Sequence, residues 1–467
     1  MPRITLDAAL WFRGASTSDN LADGGFSPDD KGVSLFITEG VLKPGPRDLG
    51  VGSIFDANGV IAWNVAKTLL STEYGYALTA NASNDGEVMA LNTGGAASHT
   101  SKYGPDTGRD YKAGISDVIS YKSGIIWTST ADIALAGDYD WWTATLSLGA
   151  LASSNEVTHR MLIYGDILYI ADGRYIHSWD GTTGTYNALD LPADYNITDF
   201  CVSNNVIVIS AEYFSSNTSG DRYGKSKIFT WDGFSPSWID ETDIFEHIDC
   251  LFPFGGTLYV TTKDYFGYFN GSAIAPLRKL TSQVRRHQIT GFKDRIMMIQ
   301  GDSILCYGNP IPGRQRFFSY PWKHEDGTLS SIFSFYSTQL LASRGTTSIV
   351  ISNFDTTSDG SDFVRYFKEN RIPLGDYAYI KKFTFELDAA VASGDTLDIY
   401  YLNSNGDTNT VGSINNTDHN GRREIVLDVE NDFPTYTVQP RYKWTDGSIG
   451  IRRVHIDYEF SEDRPTK

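Results

Sequence analysis

Four polar residues stand near the start of successive predicted strands and are the first candidates for chemistry. They are His159, Asp199, Asp249 and His287. If those strands surround a common axis, imidazole and carboxylate groups at their starts form a polar ring that can hold an ion or line a pore. Polar residues at positions where strands leave solvent give the same pattern, so the sequence leaves both interpretations open.

No established catalytic or metal-binding motif accompanies these residues. The eight histidines include no pair at zinc-ligand spacing, and His-Glu-x-x-His, a Gly-x-Ser-x-Gly elbow and a Walker loop are all absent. Asp138-Tyr139-Asp140 offers two carboxylates, but the Gly and distal Glu of a calcium loop do not follow. The sequence therefore predicts a protein that is not an enzyme and has no catalytic residues, no metal site and no cofactor.

The polar candidates belong to an internal repeat. Met161–Gly181, Leu251–Gly271 and Ile289–Asn309 align without a gap, and a fourth copy, Phe200–Gly233, carries a polar insertion around Ser215–Lys225. The copies start at 161, 200, 251 and 289, which are 39, 51 and 38 residues apart. Each copy has two β-rich runs joined by a Gly, Asn or Asp turn, which predicts an antiparallel hairpin. One hairpin cannot bury both faces, and a period of about 40–50 residues is typical of a propeller blade.

Weaker copies extend the array to six or seven blades, with seven preferred. They are Gly59–Asn92, Val118–Asp138 and Phe333–Asn353. One column of the repeat is aromatic in the stronger copies, and a ring buries about 150–250 Å². Packing between blades is therefore the predicted role of the members of this column, which are Trp179, Trp231, Phe269 and Tyr307.

The predicted fold is all-β: a six- or seven-bladed β-propeller with an N-terminal arm and a C-terminal β-sandwich. The period changes after the propeller, where five alternating strands predict the sandwich. Pro44-Gly45-Pro46 forbids regular strand pairing in the arm, which either closes the propeller ring or reaches a neighbouring subunit. The predicted boundaries are 1–50 for the arm, 51–372 for the propeller, 376–460 for the sandwich and 461–467 for a polar tail.

Composition and charge argue against several classes of function. The net charge of −18 argues against a protein that grips nucleic acid, because phosphate contacts need Lys and Arg. No run approaches the ~18 apolar residues of a membrane span, and we expect no signal peptide because Met1–Phe12 lacks a basic start and a long apolar run. The odd number of cysteines favours buried thiols over a disulfide.

The arm resembles the opening of propeller-bearing structural tail proteins of tailed bacteriophages. The resemblance rests on Asp23-Gly24-Gly25-Phe26-Ser27-Pro28-Asp29-Asp30 and on Gly40-Val41-Leu42 followed by Arg47, and it departs at Pro44-Gly45-Pro46. It implies a structural protein of the virion, in the tail, neck or tail tip, assembled in the host cytoplasm. The implied partners are copies of itself and other virion proteins in a ring, and the acidic charge suits DNA that passes without specific binding.

A glycan-binding or glycan-cleaving receptor-recognition protein is the alternative. The chain has 10 Trp and 27 Tyr whose rings could stack on sugars. Sialidase-type propellers carry the Asp-box Ser/Thr-x-Asp-x-Gly-x-x-Trp/Phe. Ser83-Asn84-Asp85-Gly86 and Thr357-Ser358-Asp359-Gly360 both lack the residue between Asp and Gly, so cleavage is the weaker half of this alternative.

Overall fold

The described part of the protein is almost entirely β-structure, as its aromatic content and many turn glycines predict. In a computed structural model, the residues described are 1–7, 11, 33–34, 40–44, 48–53, 60–67, 73–80, 86–91, 99–103, 117–122, 124–128, 133–136, 141–142, 159–213, 226–309, 313–323, 329–335, 339–344, 347–351, 365–430 and 433–461. The polar insertion at 214–225, the segments 83–85, 138–140 and 357–360, and residues 23–30 of the arm lie outside this set.

The N-terminal segment contributes four short strands. They are β1 (Arg3–Asp7), β2 (Val33–Ser34), β3 (Lys43–Pro44) and β4 (Asp48–Ser53). β2 and β3 pair with each other over two residues, whereas β1 and β4 join larger sheets elsewhere in the chain.

Four-stranded antiparallel sheets then follow one another along the chain. The first three are β5 (Val60–Lys67), β6 (Glu73–Ala80), β7 (Gly86–Leu91) and β8 (His99–Tyr103); β9 (Asp117–Tyr121), β10 (Gly124–Thr128), β11 (Ile133–Ala136) and β12 (Trp141–Trp142); and β13 (Met161–Tyr164), β14 (Ile167–Asp172), β15 (Tyr175–Trp179) and β16 (Gly184–Asp190).

The next sheets repeat the arrangement. They are β17 (Tyr195–Ser203), β18 (Val206–Tyr213), β19 (Ser226–Trp231) and β20 (Asp240–Ile244); β21 (Ile248–Phe254), β22 (Thr257–Thr262), β23 (Tyr265–Phe269) and β24 (Ile274–Lys279); and β25 (Ile289–Phe292), β26 (Arg295–Gln300), β27 (Ser303–Gly308) and β28 (Phe317–Lys323). A short 3-10 helix, Arg286–Gln288, precedes β25.

The N-terminal strand β4 completes the seventh sheet. This sheet is β29 (Ser331–Phe335), β30 (Gln339–Arg344), β31 (Thr347–Ile351) and then β4, with Asp48 opposite Ile351. The first strands of most neighbouring sheets lie side by side, β29 lies beside β5, and the helix Arg286–Gln288 contacts β21 and β29, so the sheets form a closed ring of seven blades. The predicted propeller is confirmed, and β4 takes the first of the two roles expected for the arm.

The C-terminal strands form a second, two-layered unit. They are β32 (Arg365–Lys368), β33 (Ile372–Leu387), β34 (Thr396–Leu402), β35 (Thr408–Asn415), the one-turn helix α1 (Asn416–His419), β36 (Glu424–Asp428), β37 (Thr435–Asp446) and β38 (Ile451–Phe460). The strand order is β1-β38-β33-β37-β34-β35, with β36 on β33 and β32 on β37.

The sandwich closes because β33 changes partner along its length. Its start pairs with β37, and its later part pairs with β38 and β36. The two layers meet through aromatic side chains, for example Phe383 against Tyr401 at 6.2 Å and Phe385 against Tyr442 at 5.9 Å between ring centroids. The sheets extend beyond the predicted limits of 376–460, since they include 365–368, the start of β33 and the distant strand β1.

The propeller and the sandwich share one apolar core on the side of the fifth and sixth blades. Phe266 and Trp322 of the propeller belong to the same buried cluster as Phe383 of the sandwich. Trp11 of the arm joins this cluster, and its Nε1 donates to Oε1 of the fully buried Glu369 at 2.9 Å. Burial raises the pKa of Glu369 to about 8, although Trp11 donates a hydrogen bond to its carboxyl group.

Candidate functional site

The first strands of the blades enclose a cavity on the propeller axis. Its volume is about 450 Å³, which lies within the range of small-molecule sites. Most of the walls are apolar, and the polar side chains that face it include Asp117, Arg286, His287 and Thr290. Apolar lining residues come from the second to the seventh blade, for example Ile119, Ile163, Val202, Phe252, Ile289 and Phe333.

Arg286 ties three blades together at the channel. Its Nη1 lies 2.7 Å from Asp199 Oδ1 of the fourth blade, and its Nη2 donates to the carbonyl of Met161 in the third blade at 2.9 Å. Its Nε lies 3.9 Å from Asp117 Oδ2 of the second blade. Because Arg286 sits on the short helix between the fifth and sixth blades, one side chain spans the channel.

The two aspartates also bond the main chain of the following blade. Asp117 Oδ2 accepts from the amide of Met161 at 2.9 Å, and Asp199 Oδ2 accepts from the amide of Leu251 at 2.9 Å. Each carboxylate therefore links its own blade to the next blade and also to Arg286. We call Asp117, Arg160, Asp199, Arg286 and His287 the channel cluster.

The positive and negative charges of the channel cluster balance one another. Burial alone would raise the pKa of Asp117, but Arg286, His287 and Arg160 hold it well below its usual value. Burial opposes the charge on Arg286, but Asp199 and Asp117 raise the pKa of its guanidinium above the ordinary value. Burial lowers the pKa of His287, whose Nε2 lies 3.4 Å from both Asp117 Oδ1 and Arg160 Nη1. Two carboxylates, two guanidinium groups and a neutral imidazole sum to no net charge at pH 7.

The structure brings together only two of the four residues predicted as a ring. Asp199 and His287 belong to the channel cluster, whereas the buried His159 bonds Asp172 of its own blade at 3.1 Å. Asp249 pairs with His247 at 3.1 Å and also bonds Gln283. The prediction of a single polar ring is therefore wrong for His159 and Asp249.

The physical reason for the difference is strand alternation. Successive side chains of a strand point to opposite sides. His159 stands two residues before the repeat start at Met161, and the adjacent Arg160 points to the cluster. Asp117 and Asp199 also stand directly before a repeat start, whereas His287 stands two residues before Ile289 and reaches the cluster from the 3-10 helix. Nothing in the repeat pattern marks Arg286, which lies in a connection.

A second ionic group joins the fourth and fifth blades away from the channel. His247 Nδ1 lies 3.1 Å from Glu212 Oε2, and its Nε2 lies 3.1 Å from Asp249 Oδ1. Ion pairing with Asp249 and Glu212 raises the pKa of His247 to about 10. This imidazole is therefore charged at pH 7, unlike that of His287.

Aromatic side chains of the repeat column lie against the preceding blade. Ring-centroid distances are 5.5 Å for Trp179 and Tyr121, 5.4 Å for Trp231 and Tyr169, and 6.0 Å for Tyr307 and Tyr259. Phe269 packs on the cluster that contains Val208 and Ile228 of the fourth blade. Trp231 is fully buried, Trp179 is 9 % exposed, and Phe269 and Tyr307 are half-buried.

The turn that follows this column explains its recurring Asp and Gly. Asp180 Oδ1 accepts from the amides of Thr182 and Thr183, both at 2.7 Å, so the side chain stabilises its own turn. Gly233 has a φ of +88°, and a Cβ there would lie 2.9 Å from the hydroxyl of Tyr169 in the preceding blade. These acidic residues are therefore explained by turn geometry.

Three further features of the described residues concern metal binding, the membrane and the thiols. In that part of the chain, no three His, Cys, Asp or Glu side chains are placed to hold a metal ion. No helix there is long and apolar enough to cross a membrane. Cys201, Cys250 and Cys306 are buried and form no disulfide, as predicted.

No protein-family model matches the chain, and no curated protein matches it in sequence. Solved structures with a similar fold include YCF48 from Cyanidioschyzon merolae, with 10 % identity, a TM-score of 0.44, and coverage of 66 % of this chain and 98 % of that chain. The Neurospora crassa Pan2 WD40 domain has 10 % identity, a TM-score of 0.42, and coverage of 65 % and 91 %. A glycoside hydrolase family 43 arabinoxylan arabinofuranohydrolase from Bacillus subtilis has 10 % identity, a TM-score of 0.28, and coverage of 88 % and 98 %. Similarity at this level says nothing about activity.

Proposed function

We propose that this protein is a non-enzymatic structural component of a tailed-bacteriophage virion, in the tail, neck or tail tip. Copies of the chain and other virion proteins would form a ring there. The observation that carries the proposal is that Asp117 and Asp199, the described carboxylates at the channel, are committed to Arg286 and to main-chain amides. Such groups hold blades in place rather than act on a substrate.

Comparison with glycoside hydrolysis supports the non-enzymatic part. That reaction uses two carboxyl groups on either side of the bond that breaks, and the general acid needs a raised pKa. The pKa of Asp117 is instead held low, and its Oδ2 already accepts from the amide of Met161. Protonating Asp117 for acid catalysis would therefore weaken a contact between the second and third blades.

The path of the N-terminal segment supports a structural role. β1 pairs along its whole length with β38, and Arg3 makes two bonds to Asp457 at 2.6 and 2.9 Å. β4 pairs with β31 in the propeller. One segment thus joins both domains into a unit that can transmit force between neighbours in an assembly.

The same geometry bears on the proposed DNA passage. Arg286 spans the channel of the propeller, so the proposed DNA passage lies on the axis of an oligomer and not inside one propeller. The net charge of −18 suits a wall that offers phosphates no row of cations.

The test is the composition of purified particles. We expect the full-length protein to co-purify with infectious particles at a fixed copy number that matches a ring, and loss of its gene to stop tail assembly. Complementation with the unaltered chain should restore infectivity, and Phe245→Ala, at an exposed position on the propeller, should restore it equally. Particles that lack the protein and infect normally would contradict the proposal. The full chain is needed because removing the arm would also remove β1 from the sandwich.

One observation favours receptor recognition as a second candidate. Near the start of β37 and the end of β38, the sandwich exposes Phe433 at 76 %, Tyr436 at 47 % and Phe460 at 47 %. Tyr377 lies 5.4 Å from Tyr436, so these rings lie on neighbouring strands. Grouped exposed aromatic side chains often mark a binding surface. Glycan-array binding that is lost in Tyr436→Ala and kept in Phe245→Ala would favour this candidate, and an array without binding would remove it.

A further inference from the structure

We propose that the axial channel binds a small, uncharged and mostly apolar molecule. The cavity of about 450 Å³ can enclose a ligand of two or three fused or linked rings. Ile119, Ile163, Val202, Phe252 and Phe333 all face it and are only half-buried, so their apolar surface remains accessible. A ligand that covers this surface gains the hydrophobic free energy that the protein alone leaves unused.

The polar part of the lining selects against charge. The channel cluster has no net charge, because Arg286 lies against Asp199 and Asp117, while Arg160 lies beside a neutral His287. An anion that approached Arg286 would also meet two carboxylates, and a cation would meet Arg286 and Arg160. Either charge would lose water without gaining an unshared partner.

The same lining can orient a neutral ligand. His287 and Thr290 bring an imidazole and a hydroxyl to the cavity, and both can exchange a hydrogen bond with an uncharged polar group. The expected ligand therefore has an apolar body and at most a few uncharged hydrogen-bonding groups, such as a hydroxyl or an aromatic amine. This inference does not depend on the virion role.

Two fluorescent probes with the same ring skeleton test whether the channel prefers an uncharged ligand. N-phenyl-1-naphthylamine is neutral, and 1-anilinonaphthalene-8-sulfonate has the same ring skeleton with an added sulfonate. With the purified full-length protein at pH 7, we expect saturable binding of the neutral probe with one site per chain. The sulfonate should bind at least about tenfold more weakly.

A filling substitution locates the site. Val202→Trp places a large side chain in the channel, and Val426→Trp makes the same change on an exposed strand of the sandwich. We expect Val202→Trp to weaken binding of the neutral probe at least about tenfold, with Val426→Trp unchanged. Ile163→Trp, which fills the channel from another blade, replaces Val202→Trp if that variant does not show the wild-type circular dichroism spectrum.

Three results would overturn the proposal. They are the absence of saturable binding of the neutral probe, equal binding by a folded channel-filling variant, and equal or tighter binding of the sulfonate. Each can occur whether or not the protein is found in purified particles, so failure here and failure of the virion role are distinguishable.

Discussion

The interfaces between blades and the channel cluster hold the same propeller together by different means. An interface uses an aromatic side chain from one repeat column, as Trp231 does against Tyr169. The channel cluster uses charged groups from several blades around a single Arg286. Every blade needs an interface, so the residues of the interface recur along the chain. The ring needs only one group of contacts across its axis, so the central residue of that group, Arg286, occurs once.

The largest effect should come from breaking a repeated interface. Trp231→Ala removes a fully buried indole between the third and fourth blades and should lower the free energy of unfolding by about 3–5 kcal/mol. Urea unfolding followed by circular dichroism measures this difference. Phe234→Ala, at a side chain 70 % exposed in the same blade, should change it by less than about 0.5 kcal/mol. Similar values for the two variants would mean that the column does not support the ring.

Replacing Arg286 should lower the free energy of unfolding slightly less. Arg286→Met leaves Asp199 and Asp117 without their shared cation, which should lower the free energy of unfolding by about 3 kcal/mol. Arg285→Met, at the exposed neighbouring position, is the matched control and should have little effect. Adding Asp199→Asn to Arg286→Met should recover part of the loss, because it removes one unpaired charge. A double variant as unstable as the sum of the two single variants would contradict the coupling.

The sandwich contains a buried titrating group, Glu369, which should make the stability of the protein depend on pH. Glu369 ionises near pH 8 in the folded protein and near 4.5 when unfolded, so between these values the unfolded state binds fewer protons. Stability should therefore be highest below about pH 4.5 for this group and fall by about 2–4 kcal/mol as the pH rises to 8. Unfolding free energies of the wild type and Glu369→Gln from pH 5 to 8.5 measure its share.

We expect the difference between wild type and Glu369→Gln to change with pH across this window. Val426→Gln, at an exposed and non-titrating position of the same sandwich, is the control and should leave the slope of unfolding free energy against pH unchanged. A slope that is identical in all three proteins would show that Glu369 does not titrate across this range.

The smallest effect concerns the second ionic group. His247 is charged in the fold up to about pH 10, against an ordinary value of 6.5, so its stabilisation is complete below pH 6.5 and is lost as the pH approaches 10. After screening by solvent, His247→Gln should cost about 1–2 kcal/mol at pH 6 and much less at pH 10. Phe245→Gln, at an exposed and non-titrating position two residues away, is the control and should show no such dependence. A constant cost across this range would mean that packing, not charge, explains the effect.

Repetition decided how much of the fold could be predicted. The unit from Met161 to Gly181 recurs with its turns and apolar columns, and this is enough for hairpins, blades and the placement of Trp179. The outer strand of the seventh blade could not be located in the same way, because β4 comes from the opposite end of the sequence. Pairing between distant segments is set by the closure of the ring, and no local pattern records it.

The site was less accessible to sequence reasoning for a related reason. Shifting by one residue in a strand turns a side chain to the other face, so choosing His159 instead of Arg160 exchanged a contact inside a blade for one at the channel. Arg286 lies outside the repeat, and its position depends on three blades that meet in space. Buried groups such as Glu369, bonded to Trp11 from a distant segment, likewise need the tertiary structure.

The N-terminal strands β1 and β4 also determine when folding can be completed. Asp48 pairs with Ile351, and Arg3 pairs with Asp457, so both strands leave the ribosome long before their partners exist. At about 5–20 residues per second, the roughly 300 residues between β4 and β31 take about 15–60 s to synthesise. A polypeptide released early would present an open seventh blade and an unpaired edge on the sandwich. Only translation to the last strand yields a chain with both edges covered.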